Sequence, residues 1–239
     1  MHYKDVIFAN EKFSFFANGE LYWPSKKTLI ISDLHFEKGS FFSESNQYIP
    51  PFDTIETLRQ LSNFINNHPV EKIIFLGDLI HDKFAFQRMT AKSKELFFKI
   101  LKNIDCTLTV GNHDNISFLK DIGLTLTDKI VIDGICFSHY PSIDQRFSVF
   151  GHYHPKVKLI INARGIWVAC FVLNKERILM PSYGYYTGGL SIKSAQIQEL
   201  FDAQYEIFPL AREKIYKLSL KNNSSSFKTL IADGRTTRT

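Results

Sequence analysis

The sequence predicts an α/β protein in which two β-sheets pack on each other between flanking helices. Three observations predict it. Short apolar runs at Thr28–Ser32, Lys72–Leu76 and Thr107–Val110 each stop at a motif rich in Gly, Asp, Asn or His, and helical patterns separate them. That alternation implies right-handed parallel crossovers, which leave every motif at the carboxyl end of its strand. In the second half, turn signals at Asp133-Gly134 and Ala163-Arg164-Gly165 replace the helices, so a mostly antiparallel sheet is expected to pack on the first.

In chain order, Asn18-Gly19 is a hairpin turn between Phe13–Phe16 and Leu21–Trp23, an edge hairpin leading into Thr28–Ser32. Pro50-Pro51 breaks the chain before Asp53, the expected N-cap of a helix reaching about Asn67. That helix places Ile55, Leu58, Leu61, Phe64 and Ile65 on one face. A second helix is expected over about Thr90–Asn103. Asp133-Gly134 joins Ile130–Ile132 to Ile135–Ser138, and the later turn joins Val157–Ile161 to Ile166–Leu173. Ile178–Met180 and Tyr205–Phe208 complete the strands. Residues 1–220 are expected to form one domain, and 221–239, beginning Lys221-Asn222-Asn223-Ser224, a basic polar tail without order.

The chain of 239 residues, 44% hydrophobic, is long enough for a substantial core, and no apolar run approaches the length of a membrane span. Its N-terminus lacks the charged-then-apolar layout of a secretory signal. Cys106, Cys136 and Cys170 are scattered in apolar stretches and read as small buried hydrophobes in a reducing compartment, so a cytoplasmic location is expected. From Ala211 onward seven Lys/Arg face only Glu213 and Asp233, which accounts for the whole net charge of +5. A basic end is compatible with a polyanionic partner or with a merely solvated tail.

The chemistry lies in Asp33-Leu34-His35, Gly77-Asp78, Gly111-Asn112-His113-Asp114, Ser138-His139 and Gly151-His152-Tyr153-His154. Five of the eight histidines fall in these motifs. Asp33 and His35, two residues apart at the end of a buried strand, emerge on the same side. Mixed imidazole, carboxylate and amide donors suit divalent transition metals better than Mg²⁺ or Ca²⁺, which prefer oxygen shells. Structural zinc would favour thiolates, and no cysteine lies near. Seven donors are too many for one ion and serve two if a carboxylate bridges them, with Asp78 the natural bridge. Each motif alone is common in turns and capped loops; five in succession are not.

In this order and spacing, from about Leu29 to Pro155, the motifs resemble those of the calcineurin-like metallophosphoesterase superfamily, which implies its α/β/β/α sandwich. The resemblance implies one metal on Asp33, His35 and His154, a second on Asn112, His139 and His152, and Asp78 between them. It implies that His113 acts near the leaving group, with Asp114 orienting its imidazole. Two divalent ions against Asp33 and Asp78 leave the site near +2, which favours an anionic phosphate. A metal pair roughly 3.5–4 Å apart activates a water and holds the phosphoryl oxygens for in-line attack, and a protonated His113 can donate to the departing alkoxide.

One position departs from the superfamily pattern: three residues after Asp78, where many members are acidic, stands His81, followed by Asp82. Asp33 through Gly39, Gly77 through His81, Cys170-Phe171-Val172 and Pro181 through Gly189 resemble the ligase-associated DNA damage response endonucleases (PdeM type). That narrower resemblance implies a Mn²⁺-dependent phosphodiesterase acting on DNA, associated with a DNA ligase and a helicase, with Lys38 in reach of a substrate phosphate. A phosphomonoesterase or small-nucleotide phosphodiesterase would use the same ligands, because substrate choice lives in surrounding loops. An inactive scaffold would be missing ligands, and none is missing.

Overall fold

The computed structural model describes residues 2–219, apart from 45, 46, 48, 162, 163, 202, 203 and 212. The expected tail therefore lies outside the described residues. The first half holds β1 (Tyr3–Phe8), β2 (Glu11–Phe16), β3 (Leu21–Trp23), β4 (Thr28–Ser32), α1 (Lys38–Glu44), α2 (Asp53–Asn67), β5 (Lys72–Leu76), α3 (Ala85–Arg88), α4 (Ala91–Asn103), β6 (Asp105–Thr109), α5 (Ile116–Asp121) and β7 (Thr125–Thr127). The second holds β8 (Lys129–Ile132), β9 (Ile135–Ser138), β10 (Phe147–Phe150), β11 (Lys156–Ile161), β12 (Arg164–Leu173), β13 (Arg177–Leu179), α6 (Ala195–Gln198), β14 (Glu206–Ala211), β15 (Lys214–Ile215) and β16 (Leu218–Ser219).

The first sheet runs in sequence order from β1 to β7, with β4, β5, β6 and β7 parallel. The second runs β15-β14-β12-β13-β10-β9-β8, with β11 paired to β12 and β16 to β14. It is mostly antiparallel, as expected, with β10 the exception that lies parallel to both β9 and β13. Alternation along the strands explains the layers. In β4 and β5, Leu29, Ile31, Ile73 and Phe75 face α2 and α4, where Leu58, Leu61, Phe64 and Phe97 cover them. Ile30, Ile74 and Leu76 point the other way, into a core shared with Phe137, Val149, Phe171 and Phe208. Phe15 stacks on Phe171 across that core with ring centroids 4.3 Å apart. Truncating a buried Phe of this kind costs about 3–5 kcal/mol. Beyond the second sheet, Cys170 and Val172 meet Ile192, Ile197 and Phe201.

Helix starts follow local chemistry. The Thr90 hydroxyl accepts the Ser93 N–H and caps α4, a contact worth about 1 kcal/mol. Asp53 does not cap α2 as expected. Phe52 holds that position, and the Asp53 carboxylate accepts the Gly39 N–H at 3.0 Å while Thr54 accepts the Glu37 N–H at 2.7 Å. The helix end is thus used to hold the turn bearing Lys38. Arg164 and Gly165, expected in a turn, are already paired in β12, opposite Ile161 and Ile160. All three cysteines are buried and free. Among the described residues, no helix is long and apolar enough to cross a membrane.

Candidate metal centre

Every motif reaches one edge of the sandwich. Asp33 and His35 follow β4, Asp78 follows β5, Asn112 and His113 follow β6, His139 follows β9, and His152 and His154 follow β10. Asp33, His35, Asp78, His152 and His154 all have left-handed backbones, with φ between 45° and 71°. Each such non-glycine residue costs about 1–3 kcal/mol, and a surrounding structure must hold it there. Gly111 and Gly151 allow the strand ends to close up: a methyl at Gly111 would strike the Asp78 carboxylate, and one at Gly151 would strike Ser32 and Asp33.

Two clusters that include a carboxylate result, Asp33, His35 and His154, and Asp78, His139 and His152; a third, of His35, His81 and His113, is all imidazole, and in each the candidate ligand atoms lie within 4.8 Å of one another. The Asp78 Oδ2 atom is 3.6 Å from His35 Nε2 and 3.6 Å from His139 Nε2, so one carboxylate oxygen faces both. Its Oδ1 accepts the His113 backbone N–H at 2.9 Å. His154 Nε2 lies 3.0 Å from Asp33 Oδ1 without making a hydrogen bond. Asn112 joins the second cluster through its Oδ1, 3.3 Å from His139 Nε2, and also accepts the Tyr140 hydroxyl at 3.0 Å.

The electrostatics favour an ionised Asp33 and neutral imidazoles at His35, His81 and His152. Burial alone would raise the Asp33 pKa, but His154, His139 and the Ser32 hydroxyl outweigh it and hold the carboxyl at about 2. Burial drives His35 down to about 2 against the opposing pull of Asp33. It also lowers His152, helped by His139, and takes His81 to about 4, helped by Lys38 and His113. A neutral imidazole keeps the lone pair that a metal needs.

His113 stands beside the first cluster, its ring centroid 5.0 Å from that of His35. Its Nδ1 lies 2.7 Å from the His81 backbone carbonyl. A carbonyl can only accept, so Nδ1 carries the proton and Nε2 is left for chemistry. The orientation expected from Asp114 therefore falls to the His81 carbonyl. The Asp114 carboxylate instead accepts the backbone N–H groups of Leu79 at 2.8 Å and Gly111 at 2.9 Å, tying two motif loops together. Lys38 is half-buried at the site: burial lowers its pKa, with Lys156 nearby adding to the effect and Asp78 and Asp33 opposing it.

Four residues here are given no role by the sequence. His81 stacks on His113 with centroids 5.3 Å apart; Tyr140 holds Asn112; and Tyr183 and Gly184 donate backbone N–H groups to the Ser32 and Asp33 carbonyls at 2.8 and 3.2 Å. His81 lies in the Gly77–His81 stretch, and Tyr183 and Gly184 in the Pro181–Gly189 segment, both singled out in the sequence. An aromatic directly after His139 was a usable hint for Tyr140.

Both ring nitrogens of His35 and the Nε2 of His154 are buried without a hydrogen-bond partner. Buried polar atoms rarely stay unsatisfied, and an imidazole nitrogen with a free lone pair beside a carboxylate is what a divalent cation completes. The residues fit a metal. Donor set and position together define a metal-dependent hydrolase. The chain belongs to the calcineurin-like phosphoesterase family, whose sequence profile matches residues 26–193.

Among solved structures, Pseudomonas putida nuclease MPE is similar in fold, with a TM-score of 0.69 and 23% identity over 91% of this chain and 100% of that one. A protein of unknown function from Aquifex aeolicus matches with a TM-score of 0.37 and 20% identity over 53% and 78% of the two chains. A conserved Streptococcus pneumoniae protein, described as a predicted phosphoesterase, matches at 0.34 and 14% over 81% and 97%. No curated protein sequence matches the chain.

Proposed function

We propose that the protein is a dinuclear, Mn²⁺-dependent phosphodiesterase that cleaves DNA. The observation that carries the two-metal reading is Asp78 Oδ2, set 3.6 Å from a nitrogen of each cluster. In this reading Asp33, His35 and His154 hold one ion, Asn112, His139 and His152 the other, and Asp78 is shared. When bound, the ion pair supplies positive charge to the phosphoryl oxygens and lowers the pKa of an attacking water.

The remaining work belongs to side chains. His113, fixed through Nδ1 by the His81 carbonyl, presents Nε2 to the leaving oxygen and, when Nε2 too is protonated, passes that proton to it. Lys38 meets a phosphate oxygen from the adjoining turn. Asp114 acts through the loops it ties and keeps Asn112 and His113 in place. DNA as the substrate is supported by the likeness to a nuclease fold and by the resemblance to the ligase-associated endonucleases. The same resemblance supports a repair role beside a DNA ligase and a helicase, and the buried, free Cys106, Cys136 and Cys170 support a cytoplasmic location.

The test is hydrolysis of DNA, a bis-nitrophenyl diester and a nitrophenyl monoester, with Mn²⁺ restored after chelation. Both diesters should be cleaved in preference to the monoester. His113→Ala should retain its metal, lose about 10²–10⁴-fold on DNA and lose less on the activated diester, whose nitrophenolate departs without a proton. Preference for the monoester without DNA cleavage would overturn the reading. Equal losses on both diesters would make His113 a phosphate binder.

A further inference from the structure

The metal centre is one end of a longer strip. His154 leads through Pro155 directly into β11, which pairs with β12 in a hairpin. Directly opposed residues of an antiparallel pair share a face, as do alternate residues of one strand. Lys158 lies opposite Trp167, Lys156 opposite Ala169, and Ile160 opposite Gly165. Lys156, Lys158, Ile160 and Trp167 therefore project from one face, while Val157 and Leu159, each 1% exposed, seal the other against the core.

The projecting face is open and apolar at its far end, where Trp167 is 55% and Ile160 40% exposed. A groove of about 270 Å³ runs along it, lined by Lys158, Ile160, Trp167 and Ser191 among others. Its near end is cationic. Lys156 donates to the Thr187 carbonyl at 2.9 Å and lies near enough to Lys38 to affect that ammonium. The surrounding sequence has the same sign: residues 145–198 hold seven Lys/Arg and one acid, Glu176, which pairs with Arg146. A large exposed aromatic, set among unbalanced cations and continuous with a phosphoesterase site, matches a ligand carrying both flat apolar rings and phosphates. Nucleotide strands have that chemistry. Lys156 and Lys158 are about 6.6 Å apart along the strand, comparable to successive phosphates of an extended strand.

We propose that this face of the β11–β12 hairpin is a nucleotide-binding subsite continuous with the metal centre. Trp167 stacks on an unpaired base away from the scissile bond, and Lys158 and Lys156 contact the phosphates between. The proposal rests on the reading of the site as a DNA phosphodiesterase.

The experiment uses the full chain, chelated so that binding is observed without cleavage, and oligothymidylate as the probe. Of the two tryptophans, Trp23 is fully buried, so quenching of intrinsic fluorescence reads contact at Trp167. Saturable quenching is expected, weaker with a duplex of equal length. By anisotropy of a labelled oligonucleotide, Trp167→Ala should lose roughly 5–100-fold in affinity, the range that base–aromatic stacking spans. Trp167→Phe should recover most of it. Binding without quenching, or Trp167→Ala binding like wild type, would overturn the subsite even if wild type cleaves DNA with Mn²⁺. Quenching by oligothymidylate in a protein that cleaves no DNA would retain the subsite and overturn the nuclease reading instead.

Discussion

The two ligand clusters share a carboxylate and an edge of the fold, but they differ in how their donors are satisfied. Around Asp33, His35 and His154 three buried imidazole nitrogens make no hydrogen bond. Both ring atoms of His35 and Nε2 of His154 are orphaned, and Asp33 is fully buried, held by the His152 backbone N–H at 3.0 Å. Around Asp78, His139 and His152 the donors satisfy one another. His139 Nδ1 donates to the Leu76 carbonyl at 2.9 Å, its Nε2 meets His152 Nδ1 at 3.1 Å and Asn112 Oδ1 at 3.3 Å, and Tyr140 caps the amide. Asn112 is exposed and Tyr140 is 45% exposed. The first cluster is a rigid cage with unmet valence, and the second must break internal contacts before it can take an ion. Metal loading should therefore be stepwise, tight at the cage and weaker at the open cluster.

The largest effect should come from removing what the clusters share. Asp78→Asn takes away the anionic oxygen that lies 3.6 Å from a ring nitrogen of each, so both affinities should fall together. Outer partners of metal ligands are worth about 10–100-fold, so a shared ligand should cost more than about 100-fold in turnover. Metal content by mass spectrometry and initial rates check this together. Loss at one cluster alone, with the other filled normally, would remove Asp78 from the bridging role.

Next in size is the contrast between His35→Ala and His152→Ala. His35→Ala should abolish the tight phase of a Mn²⁺ titration. His152→Ala should keep that phase and weaken the second by about 10-fold or more, in the range quoted for metal-site partners. Calorimetric titration of the chelated protein distinguishes the two. The same tight constant in both variants would mean that the orphaned nitrogens do not set the order of filling.

The sequence displayed the donors that follow β4, β5 and β9 better than those that follow β10, and the reason is physical. β4 and β5 are short, buried and apolar, and each ends abruptly at a charged motif, so local pattern alone places Asp33, His35 and Asp78. β10, which leads to His152 and His154, is four residues long and shows too little periodicity to be read as a strand, whereas its partners β9 and β13 were legible as Ile135–Ser138 and Ile178–Met180. β7, three residues long, leaves no pattern either. Which histidine meets which carboxylate came from resemblance, because His154 and Asp33 join only when the sheets pack. Asp114 shows a further limit: an acid beside a histidine can bond its ring or distant backbone amides with the same residue letters. The His81 carbonyl, which does hold His113, belongs to the backbone and has no residue signature at all.

The smallest effect on activity should come from Glu20, behind the cage wall, although its effect on stability is considerable. Tyr183, whose N–H holds the Ser32 carbonyl, also donates its hydroxyl to Glu20 Oε1 at 3.2 Å, and Glu20 Oε2 has no partner. Burial raises the Glu20 pKa from 4.5 to about 7, only partly opposed by hydrogen bonds from its own backbone, Tyr183 and Asn18. The sign follows from linkage. Below about 4.5 the acid is protonated both folded and unfolded, and its contribution is complete. As pH rises toward about 7 the unfolded chain ionises while the folded one holds its proton, so stability is lost across that interval and stays lost above it. The loss is on the order of 3 kcal/mol. Glu20→Gln cannot ionise and keeps the shape, so its unfolding free energy, from urea titrations at pH 4.5 and 7.5, should fall less than wild type by about that amount. Parallel profiles would show that Glu20 ionises normally in the folded chain. A variant with the flatter profile but a changed Mn²⁺ affinity at the cage would show that Tyr183 transmits the charge of Glu20 to the metal ligands, and that the cage is less rigid than its orphaned nitrogens imply.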